Sequence, residues 1–222
     1  MEKVLLTGFG PYGNTPVNPA QQVARALDGA TVGRASIVSR IVPNVFFKSV
    51  EAVVQATREV EPRMIVMLGE YSGRSMITVE RLAQNLNDGS RYGLADNDGV
   101  VLQGRLTAPD GPVAYLSTLP VRAMVRAMRD DGIPADISDA AGTFVCNHLM
   151  YGVLHHLAVN GLAIPAGWVH LPALPQVAAR EENLGMPSMS VETSAAGVAA
   201  GIRAALTHPQ DIDEPIRSLL QI

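Results

Sequence analysis

Short, nearly unbroken apolar runs alternate along this chain with segments whose apolar positions recur at helical spacing. The runs are KVLLT (3–7), RASIVSRIV (34–42), RMIVML (63–68), VAYLST (113–118), ADIS (135–138) and GWVHLP (167–172), and ITVERLAQNL (77–86) reads as extended too. Unbroken apolar runs predict strands buried on both faces. Between them, NPAQQVARAL (18–27) predicts a helix capped by Asn18 with Pro19 at its first position. Asn44 is placed to cap a helix reaching Val60, with Phe46, Val50, Val53 and Val54 inward. Pro120 opens another, with Val121, Met124, Val125 and Met128 on one face. NHLMYGVLHHLA (147–158) and SVETSAAGVAAGIRAAL (190–206) complete the set, and 87–99, dense in Gly, Asp and Asn, reads as loop. Strand and helix in alternation predict an α/β fold: a single α/β/α sandwich domain over residues 1–222, with a largely parallel central sheet.

Composition narrows the partners. With 47% hydrophobic and 17% charged residues over 222 positions, the chain can bury a substantial core. The formal net charge is −4 and the basic residues are dispersed, which argues against a nucleic-acid partner. No stretch approaches the roughly 20 apolar residues that span a bilayer, and the N-terminal run is too short for a signal peptide, so a cytoplasmic protein without a membrane partner is expected.

The chain has one cysteine, Cys146 in DISDAAGTFVCNH (136–148). It is either a buried small hydrophobe or a reactive thiol. It lies where a strand gives way to a helix, and open α/β sheets gather functional groups beyond the carboxyl ends of their strands. A helix N-terminus also favours a thiolate and an oxyanion. A thiol nucleophile needs a base, commonly histidine. His148 is two residues away, which on a helix turns it to the other side. His155 and His156 lie further along the helix, and His208 falls in a C-terminal turn. His170 ends a later strand, on the edge where Cys146 is expected; its competing role is a core histidine bonded to backbone. Among 21 acidic residues, Glu80 is distinguished only by its apolar neighbours Ile77, Val79 and Leu82.

Five blocks, LLTGFGPYG (5–13), VNP (17–19), GRSMITVERLAQN (73–85), GTFVCNHLMYG (142–152) and WVHLP (168–172), in this order and spacing, resemble the pyrrolidone-carboxylate peptidase (pyroglutamyl peptidase I) family of cysteine peptidases. The resemblance implies a cytoplasmic homo-oligomer, dimer or tetramer, that removes N-terminal pyroglutamyl residues from peptides without metal or organic cofactor. It implies a triad of Cys146, His170 and Glu80 and a thioester intermediate. It places Phe9, Tyr12 and Phe144 around the lactam ring, Glu70 at a position where Gln is usual, and Arg91 near the oxyanion. Tyr12 stands where Phe is usual and Asn44 where Thr is commoner. Two rival functions remain: a thiol hydrolase of another acyl or amide substrate, and a non-catalytic binding protein on the same fold.

Overall fold

The structure, a computed structural model, describes residues 1–13 and 15–219. The first apolar run forms β1 (Glu2–Phe9), buried from Val4 onward. Val4 and Leu6 pack into one core, Leu5 and Phe9 into another. A strand covered on both faces has no solvent side to mark with polar residues, hence the unbroken run. In α1 (Pro19–Leu27), the Asn18 Oδ1 accepts the Ala20 N–H at 2.9 Å, as its sequence predicts. The stripe Ala20, Val23, Ala24 and Leu27 faces the sheet. The approach is so close that a Cβ on Gly8 would fall 2.3 Å from the Ala20 carbonyl oxygen.

The chain continues through β2 (Thr31–Val32), β3 (Ala35–Val42), α2 (Lys48–Val60), β4 (Met64–Glu70), β5 (Ile77–Glu80), β6 (Leu82–Gln84), β7 (Ala114–Leu116), α3 (Val121–Asp130), β8 (Ala135–Ser138), α4 (Val145–Val159), β9 (Ala166–Leu171), α5 (Pro175–Ala178) and α6 (Val191–Thr207). Among the described residues, seven strands form one sheet in the order β2-β3-β1-β4-β9-β5-β8. β3, β1, β4 and β9 run parallel. β2 is antiparallel to β3, and β5 is antiparallel to β9 but parallel to β8. α1, α3 and α6 cover one face; α2 and α4 cover the other. The result is a three-layer α/β/α arrangement with a largely parallel sheet.

Four local expectations are corrected. The extended run 77–86 divides at Arg81, whose N–H bonds to Ser138 O at 2.8 Å while its carbonyl accepts from Ser117 N–H at 2.9 Å. There the chain leaves the main sheet and continues as β6 beside β7. The run 113–118 accordingly contributes β7 to a separate two-stranded ribbon rather than to the central sheet. Asn44 does not cap α2, which starts at Lys48 after Phe47 at φ 61°, with no side-chain cap. Loop and helix contacts hold this segment: Phe46 N–H bonds to Asp96 Oδ2 at 2.9 Å, Asn97 N–H to Asn44 O at 3.0 Å, and Phe47 N–H to His148 Nε2 at 2.8 Å. Lastly, α4 begins two residues earlier than predicted, so that Cys146 itself lies in its first turn.

Candidate active site

A cavity of about 290 Å³ opens where the carboxyl ends of β1, β4 and β9 meet the first turn of α4. Phe9 closes β1, Glu70 closes β4, His170 stands next to last in β9, and Cys146 comes from α4; all four line the cavity, with Tyr12 and Phe144.

Sequence reasoning placed Cys146 on His170's edge because a strand precedes it, and that reason is corrected here. β8 runs opposite to β9, so their carboxyl ends point to opposite edges of the sheet. Residues 139–144 turn back before α4 starts. β6 and its continuation hold the returning segment: Ala141 N–H bonds to Leu82 O, Gln84 Nε2 to Gly142 O, and Asp88 N–H to Thr143 O. Asn147, next to the thiol, pins the start of α4. Its Oδ1 accepts Gln84 N–H at 2.9 Å, and its Nδ2 donates to Gln84 O and Leu86 O. Arrival of the sulfur beside β4 shows at Gly69, where a Cβ would lie 3.1 Å from Cys146 Sγ and 2.4 Å from the Trp168 ring. Only glycine fits beneath the thiol.

His170 and Glu80 meet across the antiparallel β9·β5 pair. Thr78 is opposite His170 and Glu80 opposite Trp168, so Glu80 lies on the diagonal and on the same face. His170 Nδ1 is 2.7 Å from Glu80 Oε1, with both side chains buried. A carboxylate there accepts from Nδ1–H, which leaves Nε2 as the basic nitrogen. Oε1 also accepts from Arg74 Nη1 at 2.9 Å and Thr78 Oγ1 at 3.2 Å. Burial would raise the Glu80 carboxyl, but the hydrogen bond from His170 and the charges of His170 and Arg74 outweigh it and hold the group below the ordinary carboxylate range. At Cys146, burial pushes the thiol up, and the negative charges of Glu80 and Glu70 push it further. The sulfur therefore rests as a neutral thiol. No hydrogen bond joins it to the imidazole among the described residues.

The aromatic side chains at the cavity fall into two packed groups. Phe144 lies 5.7 Å from Tyr12 and 5.5 Å, edge-on, from Phe46, while Phe9 packs 5.5 Å from Trp168. Glu70 accepts from Ser72 Oγ at 2.9 Å, and burial raises its carboxyl above the ordinary range. It is not paired with Arg74, whose guanidinium is turned to Glu80. Arg91 does not join the cavity wall: it is exposed and stacks over Tyr92, which does. His148 faces away, its Nε2 taken by Phe47 N–H and its Nδ1 3.1 Å from Thr107 Oγ1.

Asn44, singled out in the sequence as a departure from the family, is a buried wall residue whose Oδ1 has no partner among the described residues. Sequence reasoning missed two features. Tyr71 also lines the cavity and packs edge-on to His170 at 5.4 Å. Arg74 is the third contact of Glu80. The only signal for the last two was their place in GEYSGR (69–74).

The chain resembles known proteins throughout. The sequence profile of the pyroglutamyl peptidase family matches residues 2–208. The pyrrolidone-carboxylate peptidases of Mycobacterium tuberculosis and Mycobacterium bovis are 68% identical over 222 residues, the full length of both chains. That of Bacillus mycoides is 42% identical over 212 residues, covering 96% of each. Among solved structures, pyroglutamyl peptidase I of Bacillus amyloliquefaciens superposes with a TM-score of 0.91 at 38% identity, covering 96% of this chain and all of that one. The pyrrolidone carboxyl peptidase of Thermococcus litoralis gives 0.91 at 34% identity, covering 97% and 100%.

Proposed function

Because the chain belongs to the pyroglutamyl peptidase family, we propose that it removes N-terminal pyroglutamyl residues from peptides, with Cys146 as nucleophile, His170 as base and Glu80 as the group that orients the base. The observation that carries this reading is the buried Glu80–His170 pair beside a cavity that also contains the thiol. Family membership sets aside the non-catalytic alternative. The proposal includes a cytoplasmic homo-oligomer, as the resemblance implies.

The lactam ring enters between Phe9, Tyr12 and Phe144, a small uncharged group suited to an apolar, aromatic wall. Because Cys146 rests as a thiol, the proton must leave as the sulfur attacks. His170 Nε2 accepts it while the new S–C bond pushes electrons onto the carbonyl oxygen. Glu80 holds the ring by Nδ1 and stabilises the imidazolium. No side chain caps α4, so the N–H groups of its first turn, including that of Cys146, are available to the oxyanion. One such donor contributes about 2–4 kcal/mol in comparable acyl chemistry. Imidazolium then protonates the departing amine as the C–N bond breaks, leaving a thioester. Water attacks the thioester with His170 again as base, releasing pyroglutamate and restoring the thiol. Arg91, outside the cavity wall, has no step here.

Release of the amine from a pyroglutamyl amide tests the proposal. Cys146→Ser and His170→Ala are expected to lower kcat at least ~10³-fold, since members of a nucleophile–base unit fail together. Near-parental turnover in either variant refutes these assignments.

A further inference from the structure

The turn that follows β4 directs a permanent positive charge into the buried carboxylate of the candidate triad. Gly73 takes φ 92°, a conformation that side chains avoid, and Arg74 N–H returns to Tyr71 O at 3.3 Å. The Arg74 guanidinium lies 3.8 Å from the Tyr71 ring centroid, and that ring meets His170 edge-on. Nη1 donates to Glu80 Oε1 at 2.9 Å and also to Thr78 Oγ1; Nη2 donates to Ser138 Oγ at 3.3 Å. The Arg74 side chain is 13% exposed and that of Glu80 0%. These contacts place Arg74 and His170 on one carboxylate oxygen.

We propose that Arg74 is a positioning residue that keeps His170 a neutral base by balancing the Glu80 charge, an inference that rests on the catalytic reading above. A lone buried carboxylate bonded to an imidazole favours the protonated ring. A ring protonated before substrate arrives cannot accept the thiol proton. With Arg74 bound to the same oxygen, the Glu80–Arg74 pair carries no net charge, and the imidazole is protonated only as the sulfur attacks. The other ionisable groups facing this cluster are Cys146, a neutral thiol at rest, and Glu70 across the cavity. Thr78, Ser138 and Tyr71 contribute dipoles and packing. Arginine suits the task because its guanidinium stays charged and presents several donors in a fixed plane.

The test is a titration of His170 itself, read from its ring Cε1–H resonance by NMR and assigned by the loss of that resonance in His170→Ala. In Arg74→Gln the inflection is expected to rise by about one to three pH units, in Arg74→Lys by less, and the acid limb of kcat/KM to move with it. An inflection in folded Arg74→Gln within about 0.3 units of the parental value, well short of that range, overturns the proposal. So does a Lys variant shifted as far as the Gln variant, which would make charge irrelevant. Should Arg74→Gln not fold, Arg74→Met, which can still pack on Tyr71, carries the same test. A purely structural role would lower Tm and leave the inflection in place. The titration needs no turnover, so failure of the peptidase reading would appear separately, as absent release from a pyroglutamyl amide.

Discussion

Glu70 gives the sharpest test of ring recognition, because it offers the cavity a carboxyl where an amide would answer a lactam better. A lactam has one N–H donor and one C=O acceptor; an ionised carboxylate can only accept, whereas glutamine accepts and donates. Burial already raises the Glu70 carboxyl, with the Ser72 hydroxyl bond opposing that rise only in part. Its charge also pushes the Cys146 thiol up. Glu70→Gln removes both handicaps at once. One mismatched hydrogen bond costs about 1–3 kcal/mol, so kcat/KM for a pyroglutamyl substrate is expected to rise roughly 5- to 150-fold near neutral pH. The sign with pH follows from the raised carboxyl. Below its folded value the parental side chain is protonated, can donate, and approaches the variant; above it the two diverge. Stability moves the same way, because a carboxyl raised on folding destabilises the native state once pH climbs above its ordinary value. The Tm advantage of Glu70→Gln therefore grows from acid to neutral pH. Steady-state kinetics from pH 5 to 8 decide the matter: a ratio of variant to parental kcat/KM that is at or below one, or that does not change with pH, refutes the reasoning.

Two further expectations concern residues outside the chemistry. His148 is buried with its pKa lowered to about 4 by burial, and as a neutral ring it accepts the Phe47 N–H. The unfolded chain takes up that proton near the usual 6.5, so stability is full above that pH and falls as pH drops toward 4. Differential scanning calorimetry should show this slope in the parental protein and a flatter one in His148→Gln; equal slopes would show that His148 is not the group responsible. Asp211 caps α3 from the C-terminal segment, its carboxylate accepting Arg122 N–H at 3.1 Å and Ala123 N–H at 3.0 Å. Asp211→Ala is expected to cost about 1 kcal/mol in urea unfolding with kcat/KM unchanged, and an unaltered midpoint would remove the cap from the account.

The layered architecture was legible because burial on two faces and burial on one leave different marks. β1, β4 and β9 are unbroken apolar runs, and α1 carries its stripe, its Asn18 cap and Pro19 in plain view. Strand direction leaves no such mark: side chains alternate the same way whichever way a strand runs, so nothing local to 77–80 or 135–138 announced that β5 and β8 oppose β9. Nor could local pattern show that 113–118 pairs with β6 outside the main sheet, since a pairing partner is chosen at long range. The start of α2 is hidden from the sequence for a related reason. Asn44 is chemically a good cap, but the backbone of 44–47 is held by Asp96, Asn97 and His148, distant in sequence, and tertiary contacts outweigh a cap of about 1 kcal/mol.

The sequence by itself determined the inventory: one thiol, placed by its flanking pattern where a strand leads into a helix, a histidine near the end of a buried strand, and a glutamate among apolar neighbours. It also carried enough motif order to point to the family. What only the tertiary structure decided is which charges share which oxygen. Glu80 meets His170 because antiparallel register puts them on one diagonal, Arg74 turns to Glu80 rather than to Glu70 because Gly73 folds the turn back, and Cys146 comes to the cavity that His170 lines by a returning segment bonded to β6. Those relations depend on distances between residues that are far apart along the chain. Electrostatic coupling falls off with separation in space and is insensitive to separation in sequence, so it is fixed only when the fold is.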